Sequence, residues 1–161
     1  MPNFFLHIVQ HPFKYRFFLF TRLPAAYFSG IRVRYADESK AIVTVPYKWF
    51  TKNPFKSTYF ACLSMAAEMS TGLLAMAHTY NKEPQISMLV IKSEGNFFKK
   101  ATGITTFTCE DGNSIEHAIK EAMSSGKSTS IDARSVGKNI NEEVIAEFSF
   151  TWSFKTKSSR A

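Results

Sequence analysis

The chain has 161 residues, a length suited to one domain with one core, and its 45% hydrophobic and 20% charged content excludes disordered and collagen-like classes. The net charge of +7 is carried by the first 60 residues, which hold nine basic and two acidic side chains, whereas the remainder holds eleven of each. Ten of the sixteen phenylalanines also fall in that opening section. An aromatic, basic section therefore precedes a neutral one, a pattern that points to an anionic partner or a membrane surface.

In chain order, Phe4, Phe5, Ile8 and Val9 stand at helical spacing, Pro12 can open a second turn, and Phe13, Phe17 and Phe20 continue the pattern to Pro24. This predicts an amphipathic helical lead-in over residues 1–24. Ile31, Val33 and Tyr35 alternate with Arg32 and Arg34, and Ala41, Val43 and Val45 alternate after a turn at 36–40, which predicts an antiparallel hairpin. From Thr58 to about His78 the period becomes helical and the residues are apolar on nearly every side, so a structure must wrap this helix. Glu68, Ser64, Ser70 and Thr71 near its middle argue for a buried core helix over a membrane span. Strands are predicted at 86–92 and 101–109, with a turn at Glu94-Gly95-Asn96. A short helix capped by Ser114 and ended by Gly126 follows, then a strand from Thr129 and a last, strictly alternating strand from Val144 to Phe154. The layout is α+β, a helix covering an antiparallel sheet, in a single domain spanning 1–161.

The order of elements, together with Asn53 and the helix 58–78, resembles the hot-dog thioesterase superfamily, in which a curved sheet wraps a central helix. Members usually carry an Asn, a His-Gly-Gly at the helix start and an Asp or Glu on the helix. Here the corresponding stretch runs from Asn53 to Glu68 with the family's fifteen-residue spacing, and Tyr59, Phe60 and Ala61 stand where His-Gly-Gly falls. A branch of uncharacterised hot-dog domains of about this length, opening with an aromatic amphipathic helix and a strand similar to Gly30-Ile-Arg-Val, is the closer likeness.

The resemblance implies hydrolysis of an acyl-CoA or acyl-carrier thioester. Glu68 would be general base or nucleophile, Asn53 would orient water or the thioester carbonyl, and the backbone N–H groups at Tyr59, Phe60 and Ala61 would hold the oxyanion. Phe60 and Ala61 depart from the family's glycines, which admit substrate close to the backbone. A catalytically weak acyl or lipid binder of the same fold is therefore the alternative reading. The resemblance also implies a homodimer or dimer of dimers with pockets between subunits, and no cofactor or metal.

Plainer readings stand beside these. Glu68 is the only charged residue between Lys56 and Lys82, and it fits a site, a structural ion pair or a dimer seam. Asn53 before Pro54 fits a turn as well as a catalytic role. The four histidines show no ligand spacing, Cys62 and Cys109 have no metal or redox spacing, and no GxGxxG, P-loop or GxSxG motif is present. The unpaired cysteine pattern, with a first twenty residues interrupted by His7, His11, Pro12, Lys14 and Arg16, gives a cytoplasmic expectation. Basic residues near Tyr47, Trp49 and Phe50 raise nucleic-acid binding, but no such module matches the order of elements. A phosphate or carrier-docking role for that surface is preferred, with a peripheral membrane or nucleic-acid-binding protein as the less favoured reading.

Overall fold

Prolines divide the opening section into three helices, α1 (Phe4–Gln10), α2 (Pro12–Arg22) and α3 (Pro24–Phe28). Pro12 and Pro24 each occupy the first helical position, where the missing N–H removes no helical bond, and each restrains the residue before it, so the axis breaks at His11 and at Leu23. The lead-in was expected as a shorter helical run, and α3 lies beyond it. Asn3 caps α1, accepting from the Leu6 amide at 3.4 Å, and its Nδ2 donates to the Ala77 carbonyl at 2.7 Å. Phe5 and Val9 on α1 and Tyr15 and Leu19 on α2 are buried. The computed structural model describes residues 3–157.

Gly30, at φ +74°, turns the chain out of α3 into the hairpin of β1 (Arg32–Ala36) and β2 (Ala41–Val45). Asp37 closes the hairpin turn, its carboxylate accepting from the Ser39 and Lys40 amides at 2.7 Å each. Then follow α4 (Phe60–Thr79), β3 (Ile86–Phe97), β4 (Thr105–Cys109), α5 (Gly112–Ser125), β5 (Thr129–Lys138) and β6 (Val144–Thr156). The six strands form one antiparallel sheet in the order β1-β2-β4-β5-β6-β3, so β1 and β3 are its edges.

The sheet wraps α4. Ala66, Ala67, Ser70, Ala75 and Ala77 are buried on this helix, and such short side chains let strands approach its backbone closely. Inside the contact, Ser70 and Ser135 hydroxyls bond each other at 2.7 Å. Phe148, Phe150, Trp152 and Phe154 point inward from β6, as their alternation predicts. Phe60–Thr79 is long and apolar enough to cross a membrane, yet 67% of its most apolar window is buried in the fold. It starts two residues later than expected, because Thr58 is held outside by its amide and hydroxyl, which both donate to the Ala101 carbonyl, at 2.8 and 3.1 Å.

Three boundaries differ from expectation for packing reasons. No turn forms at Glu94-Gly95-Asn96: β3 runs through it, pairing Gly95 with Phe148. A Cβ at Gly95 would lie 2.7 Å from that ring, so the glycine marks a close approach within a strand. The strand expected over 101–109 is confined to β4. The small helix α5 begins at Gly112 with Asp111 as its cap, not at Ser114, because Gly112 packs directly on the β1–β2 turn, where a Cβ would stand 2.6 Å from Ser39 Cα. Its end at Gly126, φ +67°, matches the expected left-handed cap.

Candidate active site

Glu68 sits in the middle of α4, half-buried on the stripe of the helix that the sheet leaves partly open, together with Ala61, Ser64, Met65 and Met76. Among the described residues its carboxyl has no hydrogen-bond or ion-pair partner. Loss of hydration raises its pKa above the usual carboxylate value of 4.5. Three aromatic or small residues surround it. Gly72, one turn further along the helix, leaves the space in which a Cβ would stand 3.2 Å from Glu68 Oε1 and 3.4 Å from the Trp152 ring. Tyr15 reaches in from α2: burial raises the pKa of its phenol, and the neighbouring Glu68 charge raises it further. Neither Gly72 nor Tyr15 is marked by a sequence motif. The i, i+4 spacing of Glu68 and Gly72 is the signal that could have found the glycine.

The backbone of the same turn is fixed from β6. Trp152 donates its indole N–H to Thr71 Oγ1 at 2.9 Å, and that hydroxyl donates to the Glu68 carbonyl at 2.9 Å.

The helix start forms a second centre. Tyr59 is the N-cap residue, its carbonyl accepting from Cys62 and Leu63 at 2.9 and 3.3 Å, so the amides of Phe60 and Ala61 remain as free donors at the positive end of the helix dipole. Phe60 borders a cavity of about 520 Å³ whose walls also include Asn53, Phe55, Tyr59, Phe97 and Lys100, and Ala61 lies just beyond its lining. The Tyr59 and Phe60 rings meet edge to face, 4.9 Å between centroids. Phe97 and Lys100 come from the end of β3 and the loop after it, a segment that sequence reasoning assigned elsewhere. Asn53 Oδ1 is committed to its own loop, accepting from the Phe55 and Ser57 amides at 3.0 and 3.1 Å and from Ser57 Oγ at 3.2 Å, which leaves only its Nδ2 to face the cavity.

Eight residues separate Phe60 from Glu68, about 12 Å along the helix at about 1.5 Å per residue. Within one chain, then, the carboxylate and the helix-start amides do not converge on one atom. Tyr15 also borders a cavity of about 540 Å³ between α2 and β1, with Leu19, Ile31 and Val33 on its walls and Arg16, Arg32 and Arg34 among its polar groups. A larger cavity of about 600 Å³ lies away from both, on the strand surface around Lys40, Glu110 and Arg134. Among its charges Lys40 pairs with Glu110 at 2.7 Å and Arg134 with Glu147 at 2.5 Å, while the Asp111 carboxylate accepts from the Arg134 amide at 2.6 Å.

The cysteines are packed thiols. Burial raises the pKa of Cys62 and pushes Cys109 up to about 12, away from thiolate chemistry. Among the described residues no group of three His, Cys, Asp or Glu side chains is placed to hold a metal ion.

A curved antiparallel sheet around one long helix, with a lone half-buried carboxyl on that helix and free amides at its start, defines a hot-dog domain with a candidate acid–base site. No family model and no curated protein matches the sequence. Solved structures do match. A Pseudomonas aeruginosa protein of unknown function described as a probable thioesterase superposes with a TM-score of 0.77 at 18% identity, covering 91% of this chain and 97% of its own. A thioesterase from Haemophilus influenzae gives a TM-score of 0.64 at 12% identity, covering 93% and 94%. A mutant thioesterase from Staphylococcus aureus gives 0.64 at 16% identity, covering 82% and 98%. At such identities the likeness is one of fold, and the fold of this chain is the hot-dog fold.

Proposed function

We propose that the protein is a thioester hydrolase in which Glu68 activates water for attack on an acyl thioester carbonyl. The observation that carries this reading is Glu68 itself: a carboxyl without a partner among the described residues, dehydrated enough to hold its proton more tightly than usual, on the central helix of a fold shared with thioesterases. A base with a raised pKa is the better proton acceptor near neutral pH. The amides of Phe60 and Ala61 supply the oxyanion donors, and Asn53 Nδ2 orients the thioester. The aromatic cavity at the helix start receives the acyl or pantetheine portion, with Lys100 toward the phosphates of coenzyme A or the acidic face of an acyl-carrier protein.

The separation between Glu68 and the helix start supports a site completed by two chains. Edge strand β3 is twelve residues long, with Leu89 63% and Ile91 56% exposed, and a long apolar edge favours pairing with a second copy. Two α4 helices running antiparallel across a two-fold axis would bring one chain's Phe60 and Ala61 amides toward the other's Glu68. The working form is then a homodimer or a dimer of dimers.

A panel of acyl-CoA and acyl-carrier thioesters, assayed with wild type and Glu68→Gln, tests the activity. Loss of about 10²–10⁴-fold in rate is expected on removal of the base. Hydrolysis equal in the two proteins removes Glu68 as the base, and hydrolysis undetectable with every substrate leaves the weak acyl binder instead. Light scattering of Leu89→Lys and Ile91→Lys, with assay of each, reads the dimer: monomers that retain full turnover would remove the two-chain site.

A further inference from the structure

The fold gathers the basic, aromatic opening section into one face. On α2, Phe13, Phe17 and Phe20 recur at helical spacing away from the buried Tyr15 and Leu19, and Phe13 is 83% and Phe17 69% exposed. The stripe continues onto α3 and the turn after β2. Phe20 meets Phe28 at 6.3 Å between ring centroids, Phe28 meets Phe50 at 6.3 Å, and Trp49 beside it is 79% exposed. A contiguous aromatic surface of this kind marks a contact site.

The charges around it say what the contact is. No acidic residue occurs before Asp37. Lys14 and Arg22 are exposed on the same helix, and Lys48, Lys52 and Lys56 are exposed in the segment after β2 that carries Trp49 and Phe50. None of these five has an acidic partner among the described residues, whereas Lys40, at the far side of the hairpin, is paired with Glu110. A second copy meeting this face about a two-fold axis would set these cations against one another with no carboxylate to pair them. An exposed phenylalanine stripe in a section of unpaired, exposed cations matches instead a helix lying in the interface of a bilayer, where rings enter the acyl boundary and cationic groups meet phosphates.

We propose that the α2–α3 face and the Trp49 turn dock the protein on an anionic lipid surface. The docking needs no thioester chemistry and is read without substrate.

Co-sedimentation of the full chain with vesicles of phosphatidylglycerol and phosphatidylcholine, against phosphatidylcholine alone, tests it. Trp49 reports as well, because the other tryptophan, Trp152, is only 5% exposed. The expected result is binding to the anionic vesicles that weakens with salt, with Trp49 emission moving to shorter wavelength. Phe13→Ser with Phe17→Ser, at exposed positions, should lower binding at least about tenfold, since each ring loses its burial in lipid. Lys48→Ala with Lys52→Ala should weaken binding to anionic vesicles only. Absence of binding at low salt overturns the proposal, as does binding by the double serine variant equal to wild type. So does an oligomer of the wild type that the serine variant loses, which would assign the face to a second copy, or displacement of vesicles by an oligonucleotide at equal phosphate.

Discussion

Trp152 on β6 donates its indole N–H to Thr71 on α4 across 81 residues of sequence, at 2.9 Å. The same Thr71 hydroxyl bonds the carbonyl of Glu68, so the last strand of the sheet fixes the helical turn that carries the candidate base. The pair links the core of the fold to the placement of one functional side chain.

Thr71→Val should break this link at nearly constant volume. The buried indole N–H then loses its acceptor, and unfolding should become easier by about 1–3 kcal/mol. Thr71→Ser should restore most of it. Denaturant unfolding followed by fluorescence measures both, and a valine variant as stable as wild type would contradict the role given to the bond.

Gly72→Ala separates stability from function. The added methyl meets Glu68 Oε1 at 3.2 Å and the Trp152 ring at 3.4 Å, so carboxyl and ring must give way slightly. Helix propensity gains about 1 kcal/mol in the same exchange, which offsets that strain. Stability should stay close to wild type while turnover of the best thioester falls by about tenfold or more, because a displaced base loses its geometry. Equal turnover in both proteins would show that Glu68 does not act from this position.

The sign of the pH effect follows from the raised pKa of Glu68. The folded state binds the proton more tightly than the unfolded chain, so stability falls as pH rises from the usual value of 4.5 through the folded one. Glu68→Gln removes this loss, and its gain in Tm over wild type should grow as pH rises from the unfolded value through the raised folded one. Turnover by wild type should rise with pH through the same raised pKa, as the carboxylate forms. A Tm difference that shrinks with pH would reverse the assignment.

Gly112→Ala should be among the more damaging small substitutions. A Cβ there collides with the Glu38 carbonyl oxygen and stands 2.6 Å from Ser39 Cα, and backbone cannot yield as a flexible side chain does. A loss of about 1–3 kcal/mol is expected, with α5 shifting from the hairpin turn. Thermal unfolding checks it, with Gly103→Ala, where a Cβ meets nothing within 4 Å, as the control.

Much of this protein is legible in its residues taken in order. Alternation from Val144 to Phe154 determines a strand with one core face, the apolar run over α4 determines a wrapped helix, and Gly126 determines where α5 ends. The charge and ring asymmetry of the opening section is likewise a property of sequence. These features are local, set by side-chain period and backbone freedom within a few residues.

Other features depend on partners far apart in the chain. Gly95 looks like a turn residue until Phe148 lies against it, and Gly112 owes its need for no side chain to a hairpin some seventy residues earlier. Glu68 could be recognised as an unusual acid, but its neighbours Tyr15, Gly72 and Trp152, and its distance from the helix start, follow from how α2 and β6 close on α4. The exposed phenylalanines become one surface only when Phe20, Phe28 and Phe50 are brought into contact. Periodicity specifies which face of an element is apolar; the packing of elements then decides which apolar faces are covered and which remain outside.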